Sequence, residues 1–161
     1  MDWKILYVNS RAEKKVTERL TAKGFEAYCP MRTTIRQWTD RKKKIQEPYF
    51  PSYVFVRYDP ADQLAVLQTK GVVMLVNYTH RPAVISESGM QTLIRFFEDH
   101  TDSEIIFTSY EYGQRPPFEA DGIQEEEGIL FQKSEDKEIL YIEELGMSMT
   151  VEKGIRPGGH G

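Results

Sequence analysis

Apolar positions along the first hundred residues recur at two periods, and each switch of period marks an element. Trp3–Val8 is short, aromatic and β-branched, which predicts a strand ending at Asn9-Ser10. Ser10-Arg11-Ala12-Glu13 then has the form of a capping box, in which serine and glutamate satisfy each other's backbone amides. Ala12, Val16 and Leu20 recur every fourth residue as one stripe of a helix, and Gly24 supplies its left-handed end. Residues 25–29 predict a second strand, stopped by Pro30. Residues 31–48 hold few apolar side chains and predict two weak strand ends around an exposed basic loop at 39–47. Pro48-Tyr49-Phe50-Pro51-Ser52 reads as a rigid aromatic link into a strong strand at 53–58. Asp59-Pro60-Ala61-Asp62 starts another helix, with aspartate as cap and proline in the first helical position. Leu64 and Leu67 are its expected apolar face and Gly71 its end. A strand at 72–76 and an extended piece at 81–85 follow. Ser86 then caps a helix with Met90, Leu93, Ile94 and Phe97 on the buried side. The order β-α-β-(β)-β-α-β-α predicts an α+β fold.

After His100 the pattern changes. Residues 101–122, with Pro116-Pro117, Gly113 and Gly122, read as a linker. Strands at 128–131 and 138–142 flank a polar turn at 133–137, and 148–152 adds another. That predicts a small all-β unit of three or four strands over 123–155, then a loose tail at 156–161.

Charge sharpens this division. Residues 1–58 carry thirteen Lys/Arg against six Asp/Glu, a surplus of +7. Residues 59–161 carry eight against nineteen, −11, which brings the whole chain to −4. Any polyanion contact therefore belongs to the first part. The 40% of apolar residues is enough for a core, and no apolar run approaches the ~20 residues of a membrane span. Met1-Asp2-Trp3-Lys4 lacks the layout of a signal peptide, and the single Cys29 excludes an internal disulfide framework. A cytoplasmic protein with no membrane partner is the expectation.

Catalytic and metal motifs are missing. His80, His100 and His160 have no partners at ligand spacing, and no glycine loop precedes a helix as a phosphate cradle. Cys29 has no positioned base in sequence and reads as a small buried hydrophobe. Glu125-Glu126-Glu127 reads as a solvated face. Neither an enzyme nor a bound cofactor or metal is expected. Two segments invite a binding role. Arg41, Lys42, Lys43 and Lys44, beside Trp38, suit either a solvated hairpin tip or a nucleic-acid contact with phosphate neutralisation and base stacking. Tyr49, Phe50 and Tyr53 fall within five positions and cannot all point inward from an alternating strand, so one is expected at the surface.

Four stretches in this order and spacing carry a family resemblance. They are the Trp3…Tyr7-Val8 strand, the helix opening Arg11-Ala12-Glu13-Lys14-Lys15-Val16, the string Phe50-Pro51-Ser52-Tyr53-Val54-Phe55-Val56, and Arg81-Pro82-Ala83-Val84-Ile85-Ser86. Residues 1–100 resemble the NusG N-terminal (NGN) domain, closest to the specialised UpxY/RfaH-like antiterminators. The resemblance implies a mostly antiparallel sheet flanked by helices, a ferredoxin/RNP-like α/β sandwich. It implies a transcription elongation or antitermination factor that docks on the clamp helices of the largest subunit of RNA polymerase and reduces pausing or termination. Carried over by position, Phe50, Tyr53 and Tyr7 belong to the polymerase-binding patch, with Arg11 and Lys14 at its approach. Trp38 and Arg41, Lys42, Lys43 and Lys44 fall on a hairpin near upstream or non-template DNA. Residues 123–155 resemble the later strands of a KOW/SH3-like barrel, whose family partners are the termination factor Rho and a ribosomal protein. The barrel's usual valine-rich opening strand is missing, and Arg115-Pro116-Pro117-Phe118 stands in its place, so a degenerate barrel is expected and those two partners are in question. The alternative from another class is a free single-stranded nucleic-acid-binding α/β module.

Overall fold

The computed structural model describes residues 1–78 and 80–153. The chain forms two compact units, Met1–Ala83 and Val84–Gly161. In the first, the elements run β1 (Trp3–Val8), α1 (Glu13–Ala22), β2 (Glu26–Tyr28), β3 (Met31–Gln37), β4 (Lys42–Pro48) and β5 (Tyr53–Arg57). A 3-10 turn (Pro60–Asp62), α2 (Gln63–Leu67), β6 (Val72–Leu75), β7 (Asn77–Tyr78) and β8 (Arg81–Pro82) complete it. The second holds β9 (Val84–Ile85), α3 (Glu87–Asp99), β10 (Ile106–Ser109), β11 (Ile123–Glu126), β12 (Ile129–Lys133), β13 (Lys137–Ile142) and β14 (Met147–Glu152). Helix α3, read from sequence with the first hundred residues, falls in the second unit. The expected tail, with His160, lies outside the described residues.

The first unit is built on the antiparallel order β2-β5-β1-β6. Successive side chains of a strand point to opposite faces. One face carries Leu6, Val8, Val54, Val56 and Leu75, packed with Val16 and Leu20 of α1, Val66 of α2 and Tyr58. Val66 rather than Leu64 anchors α2, and Leu64 is exposed. Of the two residues expected on the helix's apolar face, Leu67 packs against this core and only Leu64 does not. Gly71, just before β6, packs against α1. It takes φ +100°, and a Cβ there would stand 2.6 Å from Val16 Cγ2. Gly24 likewise takes φ +93° and closes α1, with its own amide on Thr21 O and that of Phe25 on Leu20 O.

β3 and β4 do not join this sheet. They pair with each other over seven registered positions, from Met31↔Pro48 to Gln37↔Lys42. The Trp38 amide donates to Arg41 O at 2.7 Å and closes the turn. The expected loop at 39–47 is therefore a four-residue turn, and Lys42, Lys43 and Lys44 lie on strand β4.

The second unit's sheet runs β10-β14-β13-β12-β11, with every neighbouring pair antiparallel. Five strands stand where three or four were expected. Two of them, β10 and β11, match none of the three strands read from the sequence, and β10 lies inside the segment read as linker. Ile129, Ile139, Leu140, Ile142 and Met149 form its buried apolar centre. Buried Gln132 on β12 ties down the segment before β11: its side-chain oxygen accepts from the Glu119 amide, and its nitrogen donates to Glu119 O and Asp121 O. Ser86 Oγ caps α3 by accepting from the Gly89 amide at 3.0 Å, as the sequence predicts. Met90, Leu93 and Phe97 are buried as expected, joined by Phe96, while Ile94 is only half-buried. No helix among the described residues is long and apolar enough to cross a membrane.

Candidate partner-binding surfaces of the first unit

The second face of the β2-β5-β1-β6 sheet begins with buried Trp3, Ile5 and Phe55. Further along, the same face opens. Tyr7 is registered against Tyr53 on β5 and against Met74 on β6, so the three side chains form a row across three strands. The Tyr7 and Tyr53 rings meet edge to face at 5.8 Å, inclined at 67°. Tyr7 is 40% exposed and Met74 50% exposed, and Tyr53 is half-buried. A β-bulge follows Tyr7 on the β6 side, next to exposed Val73. Met74 was not singled out from sequence, because Val72–Leu75 is apolar throughout and only the register shows which residue shares a face with Tyr7.

Phe50 does not belong to this row. It is fully buried, with its ring edge to face against Phe55 at 5.6 Å and 82°. The reading of Phe50 as a patch residue is therefore corrected: it is a core residue. Of the three crowded aromatics, Phe50 is buried and Tyr49 and Tyr53 are half-buried, so none of them is fully exposed; the exposed ring beside them is Tyr7, on β1.

The turn before β5 fixes where Tyr53 stands. The Tyr53 amide donates to Phe50 O at 3.1 Å, with Pro51 second in the turn and Ser52 third. Ser52 has φ +73°, the left-handed value a type II turn demands and glycine usually supplies. For a serine this costs about 1–2 kcal/mol. Two hydrogen bonds hold it. Ser52 O accepts from the Val8 amide at 2.8 Å, and the Ser52 amide donates to Glu13 Oε2 at 2.7 Å. Glu13 is 3% exposed and opens α1, where the helix dipole favours an anion. The capping box expected at Ser10–Glu13 is absent: Ala12 occupies the N-cap with no side-chain bond, and the Glu13 carboxylate serves Ser52 instead. Cys29 is half-buried; burial, and next the nearby Glu13 charge, push its thiol up to about 12. That agrees with an unreactive residue.

Arg11 and Lys14 are both exposed near the start of α1. Arg11 takes φ +68° in a turn where the Ala12 amide donates to Asn9 O. Lys14 Nζ reaches Gln46 Oε1 on β4 at 3.4 Å.

The β3–β4 hairpin has two unlike faces. Register puts Arg32, Arg36, Lys43 and Glu47 on one, and Lys42, Lys44 and Ile35 on the other. Trp38 shares the first face. Lys43 Nζ lies 5.2 Å and the Arg41 guanidinium 5.5 Å from the centre of its ring. Glu47 is bonded by Arg36 and lies 3.3 Å from Arg32. The Arg36 hydrogen bond, aided by the charges of both arginines, holds its carboxyl below the usual carboxylate range. The structure thus separates the cations that the sequence groups at 41–44.

An antiparallel sheet with helices on one face and a separate two-stranded hairpin, followed by a second unit of one helix and a five-stranded antiparallel sheet, define the class: an α+β protein. The family model for NusG, described as transcription termination factor nusG, matches residues 1–94, more than half of the chain. The protein belongs to the NusG family and is a transcription factor, and factors of this family interact with RNA polymerase.

Proposed function

We propose that the protein is an elongation or antitermination factor that docks on the clamp helices of the largest polymerase subunit through the Tyr53–Tyr7–Met74 row. The observation that carries this reading is the row itself, an apolar and aromatic strip left open on a sheet face whose other end is buried. Aromatics and methionine are the side chains that interface cores favour. Arg11 and Lys14 flank the approach and suit an acidic or phosphate-bearing neighbour. A factor that binds the elongating state more tightly than the paused one shifts the population toward elongation by that difference alone, so no catalytic group is called for. We place the chain among the UpxY/RfaH-like antiterminators of the cytoplasm, on the strength of its sequence. Rho or a ribosomal protein would meet the five-stranded second unit.

The test is retention of RNA polymerase from cell extract by the wild type and by Tyr7→Ala/Tyr53→Ala, with folding checked by circular dichroism. Retention by the wild type and loss in the folded variant support the reading. Equal retention by both overturns it.

A second reading rests on Trp38 with Arg41 and Lys43 against its ring. That arrangement suits a stacked base with adjacent phosphates, placing the hairpin near upstream or non-template DNA, or making the protein a free single-strand-binding module. Salt-sensitive oligonucleotide binding without polymerase, lost on Trp38→Ala, distinguishes the free module.

A further inference from the structure

We infer that Glu13 is a positioning residue for polymerase docking: its carboxylate fixes the left-handed turn at Ser52 and thereby the presentation of Tyr53 beside Tyr7. The inference rests on the docking reading above and adds a residue that touches no partner. Four observations carry it. Glu13 is an almost fully buried acidic side chain, and a polar group in that setting is costly unless it is hydrogen-bonded. It accepts from one backbone amide thirty-nine positions away, at a charge-assisted 2.7 Å. That amide belongs to Ser52, one of three described non-glycine residues with positive φ. The next residue is Tyr53, whose own amide closes the same turn on Phe50 O.

The geometry makes the turn a shared product of α1, β1 and β5. Ser52 is held by Glu13 through its amide and by Val8 through its carbonyl. Without the carboxylate, the part-buried Ser52 amide loses its acceptor and the serine is free to leave the left-handed region. Tyr53 is the first residue of β5, so a change at Ser52 moves its ring before it moves the rest of the strand. A glycine at 52 adopts this φ without strain and makes the turn independent of Glu13.

The experiment compares full-length wild type, Glu13→Ala, Glu13→Ala/Ser52→Gly and Val16→Ala. Val16→Ala is a stability control, because Val16 is buried in the same helix away from the turn. Affinity for RNA polymerase and melting temperature are measured for each. Loss of the bond is expected to weaken binding roughly tenfold, with Ser52→Gly restoring most of it. Val16→Ala is expected to lower the melting temperature with little change in affinity. Unchanged affinity in Glu13→Ala overturns the inference. So does a loss that Ser52→Gly fails to rescue and Val16→Ala reproduces. A polymerase-independent readout separates this outcome from failure of the docking reading. In the wild type the Ser52 amide proton is expected far downfield, with close Tyr7–Tyr53 ring contacts by NMR. Both should be lost in Glu13→Ala and the ring contacts regained in the double variant. If they persist in Glu13→Ala, the positioning role is wrong whatever the polymerase does. If they behave as expected while no variant, wild type included, binds polymerase, Glu13 sets the turn but not docking, and the inference fails with the docking reading.

Discussion

Phe50 meets the edge of Phe55 at 5.6 Å with the two ring planes 82° apart, and neither residue is accessible to solvent. Truncating a buried ring of this size removes its transfer free energy and leaves a cavity. Phe50→Ala is therefore expected to cost about 3–5 kcal/mol. Chemical denaturation would show it as a lower midpoint. Lost polymerase retention in that variant would report unfolding rather than docking.

The neighbouring row behaves differently. Tyr7 and Met74 are exposed to 40% and 50%, so their replacement costs less packing than that of a core ring. Tyr7→Ala is expected to lose about 0.5–1.5 kcal/mol for the edge-to-face pair with Tyr53. Met74→Glu is expected to stay within about 0.5 kcal/mol of the wild type and still abolish polymerase retention, because it places a charge in an apolar contact. Full retention by folded Met74→Glu would remove Met74 from the surface.

Gly71 offers a purely structural counterpart. An added Cβ meets Val16 Cγ2 at 2.6 Å and the backbone stands at φ +100°. Gly71→Ala is expected to destabilise by more than about 1–2 kcal/mol, the left-handed cost alone. Thermal melting measures it. An unchanged melting temperature would mean that β6 can retreat from α1 freely.

For the hairpin, Arg41→Gln and Lys42→Gln remove equal charge from opposite faces. If a single strand lies across Trp38, Arg41→Gln is expected to reduce the slope of log K against log salt by about 0.7, with Lys42→Gln leaving it unchanged. Titration with an oligothymidylate at several salt concentrations reads this directly. Equal effects would indicate diffuse attraction rather than a binding face.

Cys29 gives a pH dependence. Its thiol stands near 12 in the fold against an ordinary value of 9.0. The folded state therefore holds its proton where the unfolded chain releases it. Its contribution to stability is complete below pH 9 and is lost as pH rises from there toward 12. Unfolding at pH 8 and at pH 10, beside a Cys29→Ser variant, should show the wild type losing more across that interval. A thiol reagent at pH 8 should label the unfolded chain and spare the native one.

Much of the first unit was legible because local and global signals agree there. The strand Trp3–Val8, the glycine that ends α1 and the proline start at Pro60 are set by neighbouring residues, and the structure keeps all three. The failures are tertiary. Ser10 and Glu13 have the spacing of a capping box, yet the carboxylate finds a stronger claim in Ser52, thirty-nine residues on. Phe50 is placed in the patch by the family pattern, but the turn at 50–53 folds its ring inward against Phe55. Leu64 satisfies a helical period in a helix of five residues, too short for the period to choose a face. Of the proposed sites, Tyr7 and Tyr53 could be named from the family pattern, whereas Met74 needed the β1–β6 register. The β10 strand hid in a stretch rich in turn residues, because its pairing partner is β14.

That last pairing has a kinetic side. β10 at Ile106 is matched with Thr150, so the edge strand that comes first in this sheet is zipped on by the strand that comes last. During synthesis from the N-terminus, the β2-β5-β1-β6 ladders of the first unit can close as soon as β6 has emerged. β10, by contrast, must wait unpaired until β14 exists. The two halves of the chain therefore reach their native pairings at different times on the ribosome.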